Sequence, residues 1–262
     1  MPMSELAAAI SGMKGGLVQL SGGEPFLLQP EKLLGLAALC VKTGKTVELQ
    51  SNASLIKSFP DRDFTTLVKL VNASRGYFNL NFPADSSAAD LRITGLKGGF
   101  SSRVAGARRL LEAGARVRLT HVILRDNFKR LPRFAAFAAG LGGIDWLQFS
   151  FAKGIGKAAG NKKIVPSYEE VSPLLVEALR VAEKTGLRAD VDHIPPCFLG
   201  PYARLHVDLG KFKGGDKGPY LDEKSKIGLC RRCALRSRCA GARNDYLSIY
   251  GGFIPPADWS WK

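Results

Sequence analysis

The run "VQLSGGEPFLL", Val18 to Leu28, decides how the rest of the chain is read. A short apolar strand ends in Ser21-Gly22-Gly23-Glu24-Pro25, and apolar residues then resume. Two adjacent glycines let the backbone take φ > 0 and leave no Cβ between the main chain and a bound molecule. Pro25 stiffens the exit, and Glu24 offers a carboxylate to a cation such as an ammonium group. A turn of this kind is also an ordinary way to leave a strand for a helix. The stretch by itself leaves both readings open.

Outward from this turn the same phrase repeats between residues 17 and 193: a short apolar strand, a loop, an amphipathic helix, a glycine. The pattern predicts strands at Leu17–Leu20, Thr46–Gln50, Tyr77–Phe82, Arg116–Leu124, Ile144–Phe151 and Leu187–Asp192. Gly44, Gly114 and Gly186 stand where helices need a left-handed terminal residue. Pro30 and Pro132 suit a first helical turn, and Ser167 with Glu170 forms a capping-box pattern. Alternating strands and helices imply parallel strands joined by right-handed crossovers, hence an α/β open sheet or barrel. In either, the reactive rim lies at the C-terminal ends of the strands, where the Gly22-Gly23 turn falls.

The composition fits a globular protein: 262 residues, 45% of them apolar. There is no stretch of eighteen apolar residues and no cationic region ahead of an apolar N-terminal segment. Neither a membrane span nor a secretory signal is therefore expected, and a cytoplasmic location is the default. The formal charge of +15 favours an anionic partner such as nucleic acid, an acidic peptide or a phosphorylated substrate. The basic residues are spread over most segments, as solvated helix faces also require.

Of the five cysteines, Cys40 sits among leucines at helical spacing, where a thiol acts as a small hydrophobe. The other four, Cys197, Cys230, Cys233 and Cys239, cluster in the C-terminal third. There the strand–helix rhythm stops and glycine, proline, lysine and arginine accumulate, which predicts a boundary between residues 1–194 and 195–262. So small a loop-rich module buries little apolar area, and a metal centre would cross-link it. Four thiolates suit an iron–sulfur cluster or zinc, and the spacing leaves the two open. With four cysteines available, His193 and His206 are expected to be structural, and His121 to be a hydrogen-bonded interior residue. "KGIGKAAG", Lys153 to Gly160, satisfies neither the P-loop nor the dinucleotide glycine pattern.

Gly22-Gly23-Glu24-Pro25 after an apolar strand resembles the motif by which radical S-adenosylmethionine enzymes hold the amino group of that cofactor. The resemblance runs from about Ser4 to Gly252. "ELQSNAS" (Glu48–Ser54) looks like the end of the family's third strand, "YFNLNFPADSSAADLRITGLKGGF" like its fourth strand and substrate-facing loop. "VRLTHVILRDN", with its trailing Asn127, resembles the fifth strand, and "WLQFSFAKGIGKA" the sixth with a loop near the adenosyl group. "CRRCALRSRCAG" is similar to part of the SPASM/twitch extensions that carry auxiliary 4Fe-4S clusters, with Cys197 as fourth ligand. Five cysteines support at most one such cluster.

What the resemblance implies is a partial (β/α)6 TIM-like barrel missing its first strand, with a small Cys-rich extension. S-adenosylmethionine would be held by Gly22, Gly23, Glu24 and Pro25, with Ser51, Asn52, Asn79, Asn81, Gln148 and Ser150 near strand ends facing the cavity. The metal ligands would be Cys197, Cys230, Cys233 and Cys239, holding an auxiliary 4Fe-4S cluster, with zinc as the alternative. The substrate would be a peptide or another sizeable molecule, anionic if the basic charge serves it, and the electron donor a flavodoxin or ferredoxin. The family's Cys-x3-Cys-x2-Cys loop, whose cluster cleaves the cofactor, does not occur in these residues. The expectation is a chain shortened at its start, Met1 or Met3 being internal, since Leu17–Leu20 would otherwise be a bare sheet edge. The alternative is a non-catalytic four-cysteine module on an α/β scaffold that binds RNA or an acidic peptide.

Overall fold

The computed structural model describes residues 3–213 and 221–256; Met1 and parts of the expected 195–262 module lie outside the described residues. Six strands, β1 (Leu17–Leu20), β2 (Thr46–Ser51), β3 (Tyr77–Asn81), β4 (Val117–Ile123), β5 (Trp146–Phe151) and β6 (Ala189–Asp192), follow one another in a sheet of order β1-β2-β3-β4-β5-β6. This is an α/β fold, and each strand lies within two residues of its predicted bounds. The chain divides into two compact units, residues 1–120 with 141–146, and residues 121–140 with 147–262.

In the first unit β1, β2, β3 and the start of β4 pair in parallel, Leu17 opposite Thr46, Glu48 opposite Tyr77 and Asn79 opposite Arg118. Helices α1 (Met3–Gly12), α2 (Pro30–Lys42), α3 (Asp61–Ala73), α4 (Ser87–Thr94) and α5 (Gly99–Glu112) belong to it. Parallel strands covered on both faces usually read as unbroken apolar runs. These alternate instead. Val47, Leu49, Phe78, Leu80, Val117 and Leu119 are fully buried on one set of positions. The intervening positions carry Glu48, Gln50, Tyr77, Asn79, Arg118 and Thr120. Because successive side chains point to opposite faces, one face is a hydrocarbon core and the other polar. The apolar residues of α2 (Leu33, Leu36, Ala37, Cys40) and α3 (Phe64, Leu67, Val68, Val71) are buried as well. Cys40 is completely buried, and burial raises its thiol pKa, as expected of a packing cysteine.

One close approach fixes α5 against the end of β2. A Cβ on Gly106 would come 2.5 Å from the carbonyl oxygen of Ala53, a backbone atom that cannot swing aside. Ala53 has φ of 63°, a left-handed conformation that an L-alanine adopts only when its surroundings hold it.

The second unit contains α6 (Leu131–Gly140), α7 (Tyr168–Lys184), α8 (Val207–Lys213), α9 (Asn244–Tyr250) and the antiparallel pair β7 (Lys224–Ser225) with β8 (Ala242–Arg243). Ser167 and Glu170 form the reciprocal capping box that their spacing predicts. Glu170 also meets Arg125 at 2.5 Å, and that pairing holds its carboxyl at about 2. Tyr168 and Tyr246 stack with ring centroids 3.5 Å apart beside Phe151 and Phe198, a dense aromatic core. Among the described residues no helix is long and apolar enough to cross a membrane.

Candidate cofactor-binding site

The C-terminal ends of β1, β2 and β3, with Thr120 of β4, line an open cavity of about 360 Å³, within the roughly 300–1,000 Å³ typical of small-molecule sites. Gly22 and Gly23 line it with φ of 96° and 71°, and a Cβ at either would meet nothing within 4 Å. Positive φ demands glycine here, and open space lies beside the main chain. Glu24, Ser51, Asn52 and Asn79 also line it. With Asn81, the structure thus brings seven of the expected cofactor residues together.

Glu24 is only 8% exposed and its carboxylate is already engaged. Oε1 accepts from the Ser51 hydroxyl at 2.7 Å and from the Phe26 N–H at 3.3 Å; Oε2 accepts from the Asn52 N–H at 2.8 Å. Pro25 opens a short 3-10 turn, Pro25–Leu27, for which Glu24 is the N-cap. The acid therefore ties the glycine turn to the turn that ends β2.

From the other side Arg103 donates from Nη1 to the Asn52 carbonyl at 2.7 Å, and its Nε pairs with Asp90 at 3.0 Å. Arg103 and Asp90 are 4% and 0% exposed. Both backbone groups of Asn52 are held by buried ions, and its side chain closes a local turn by accepting from Ser54 N at 2.9 Å.

Gln50, Asn81 and Thr120 complete the polar lining with Ser21. Behind it lies Glu48, 2% exposed, which accepts from Gln19 Nε2, Gln50 Nε2, the Tyr77 hydroxyl and Asn79 Nδ2 at 2.6–2.9 Å. Burial works against its charge, but the four donors prevail and hold the carboxyl below its ordinary range. Burial and the adjacent carboxylate push Tyr77 up to about 12.

Gln148 and Ser150 lie on β5 in the second unit. Ser150 Oγ is 3.2 Å from His193 Nδ1, and His193 follows β6 with φ of 68°. The 153–160 loop is tied down through Gly154 N, which donates to Asp245 at 3.0 Å. Asn127 closes its own strand end, donating to Val122 O and accepting from Leu124 N, both at 2.8 Å.

Cys197, Cys230, Cys233 and Cys239 are all free thiols of intermediate exposure in the second unit. Burial raises Cys197 far above the usual thiol range, and the other three thiols add to it. Burial likewise pushes Cys239 up to about 11. The donor chemistry suits iron–sulfur or zinc. Among the described residues, however, no group of three or more His, Cys, Asp or Glu side chains is gathered to hold a metal ion.

The chain that forms this polar cavity at its strand ends is similar to known proteins. The chain is 32% identical over 202 residues to the PqqA peptide cyclase of Gluconobacter oxydans (strain 621H), covering 73% of this chain and 53% of that protein. It is 30% identical over 209 residues to the PqqA peptide cyclase of Granulibacter bethesdensis (strain ATCC BAA-1260 / CGDNIH1), covering 74% and 52%. The chain belongs to the radical S-adenosylmethionine superfamily. It spans about half the length of these two relatives. Among solved structures, anSMEcpe with bound AdoMet and a peptide superposes with a TM-score of 0.61 at 14% identity, covering 95% of this chain and 85% of that one. Streptococcus suis SuiB bound to its precursor peptide SuiA gives 0.56 at 15%, covering 73% and 42%. Both show the radical S-adenosylmethionine fold class, an α/β TIM-like partial barrel. No family model matches the chain.

Among the residues that hold the lining of this cavity in place, sequence reading missed Glu48, Arg103 and Asp90. The signal for Glu48 was present: an acid between Val47 and Leu49 in a strand pattern is a charge on the inward face. Arg103 and Asp90 lie far from the motif and carried none.

Proposed function

We propose that this chain holds S-adenosylmethionine for the radical modification of a peptide. The observation that carries the reading is the cavity under the Gly22-Gly23 turn, in a chain that matches two PqqA peptide cyclases over about three-quarters of its length. The structures of anSMEcpe with AdoMet and a peptide, and of SuiB with its precursor peptide, support the pairing of that cofactor with a peptide substrate.

In this reading the main chain at Gly22 and Gly23 receives the cofactor's ammonium end. Gln50, Asn79 and Thr120 supply amide and hydroxyl groups to its polar atoms. Glu24 and Arg103 hold both backbone groups of Asn52, and with it the rim, before the ligand enters, which lowers the ordering cost of binding. A site-differentiated 4Fe-4S cluster, when bound, supplies the electron that cleaves S-adenosylmethionine. These 262 residues contain no Cys-x3-Cys-x2-Cys loop for it, and no residue described here takes a step in that cleavage. We propose the four C-terminal cysteines as ligands of one auxiliary 4Fe-4S cluster, on the strength of their number and their thiolate chemistry.

Titration calorimetry of the purified protein with S-adenosylmethionine tests the reading. Saturable one-to-one binding is expected. Absence of binding at millimolar ligand would overturn it.

A further inference from the structure

Glu48 serves the cavity without touching it. Its carboxylate accepts four hydrogen bonds, and two come from residues that line the cavity: Gln50 Nε2 at 2.9 Å and Asn79 Nδ2 at 2.6 Å, both on Oε1. A carboxylate only accepts, so each amide must turn its NH2 group toward Glu48. The neutral alternative, in which an amide flips end for end, would aim a carbonyl oxygen at an anion in a buried site. Asn79 is constrained a second time, because its Oδ1 accepts from Thr120 Oγ1 at 2.7 Å. The Tyr77 hydroxyl and Gln19 Nε2, both at 2.8 Å on Oε2, fill the other oxygen and leave the carboxylate no freedom to rotate.

We propose that Glu48 is a positioning residue that locks the Gln50 and Asn79 amides in one orientation and so sets the donor and acceptor pattern that the cavity offers its ligand. With both NH2 groups committed, Gln50 presents its Oε1 as an acceptor, Asn79 keeps one N–H to donate, and the Thr120 oxygen keeps acceptor capacity. A bound molecule must match that order. The part that concerns S-adenosylmethionine rests on the function proposed above; the locking of the amides does not.

Two measurements on the same proteins separate these parts. The first is nuclear magnetic resonance of the side-chain NH2 groups in 15N-labelled protein, assigned with Gln50→Met and Asn79→Leu. The Gln50 and Asn79 signals are expected to be shifted and slow to exchange, and to lose both properties in Glu48→Met, which has no oxygen to accept them. A second signature is the Tyr77 phenol, whose absorbance titration should move down from about 12 once the neighbouring anion is gone. The second measurement is affinity for S-adenosylmethionine, expected to fall at least tenfold in Glu48→Met at a temperature where both proteins are folded. Should Glu48→Met not fold, Glu48→Met/Tyr77→Phe replaces it, since it also removes the phenol left without its acceptor and keeps both the Gln50 and Asn79 amides to be read. Amide signals that do not respond to loss of Glu48 would overturn the proposal, as would unchanged affinity in a variant whose amides are released. Locked amides in a wild-type protein that binds no S-adenosylmethionine would support the positioning role and overturn the proposed function instead.

Discussion

Glu24 Oε2 accepts the backbone N–H of Asn52 at 2.8 Å, which ties the glycine turn after β1 to the turn after β2. Glu24→Ala removes this bond together with those from Ser51 and Phe26. Hydrogen bonds to a charged group contribute about 1.5–3 kcal/mol each, less where water can replace them. Affinity for S-adenosylmethionine should fall by tenfold or more, and calorimetry on both proteins measures it. Unchanged binding would make Glu24 a turn residue only.

Arg103 and Asp90 form a buried pair that also grips the Asn52 carbonyl. Breaking such a pair from one side costs about 3–5 kcal/mol, because a buried charge is left alone. Arg103→Met is therefore expected to lower stability in urea unfolding by that order. Arg103→Met/Asp90→Leu should recover most of it while S-adenosylmethionine affinity stays low, since Asn52 still lacks its clamp.

His206 is 3% exposed, and burial pushes its imidazole down to about 4. Its Nδ1 accepts from the Asp208 N–H at 3.1 Å, a bond that requires the neutral ring. Unfolded chains protonate histidine near about 6.5. Between these values the unfolded form takes up a proton that the folded form refuses, so stability falls as pH drops from about 6.5 to about 4 and levels off below. The full displacement corresponds to about 3 kcal/mol. Urea midpoints across that range, compared between wild type and His206→Gln, should show a flatter profile in the variant.

The four C-terminal cysteines are expected to take up one 4Fe-4S cluster on anaerobic reconstitution, with Cys230→Ala/Cys233→Ala abolishing it. Iron and acid-labile sulfide analysis reads the outcome. Equal iron and sulfide in the double variant would refute the assignment.

The strands were legible because each is a short apolar run, and the helices between them carry their own signals, ending at Gly44 and Gly114 or beginning at the Ser167–Glu170 box. The rim was legible through the resemblance carried by Gly22-Gly23-Glu24-Pro25 after an apolar strand, since the glycines alone also fit an ordinary strand-to-helix turn. Glu48 was harder to read. Its role depends on Gln19, Tyr77 and Asn79, 29 to 31 residues away in sequence, which only strand register brings opposite it. Arg103 was hidden for a similar reason: a basic residue in an amphipathic helix looks solvated until Asp90 and the Asn52 carbonyl are found beside it. The carboxylate of Glu24, read as facing a ligand's ammonium, spends its strongest contacts on the protein's own N–H and O–H groups.

The central claim is that S-adenosylmethionine occupies the cavity beneath the Gly22-Gly23 turn. A crystal structure of the protein grown with saturating S-adenosylmethionine tests it most directly. The account predicts density for the cofactor in the 360 Å³ cavity, its amino group within hydrogen-bond reach of the Gly22 or Gly23 main chain and its other polar atoms meeting Gln50 and Asn79. Cofactor bound elsewhere on the chain, or a cavity holding only water at saturating ligand, would contradict it.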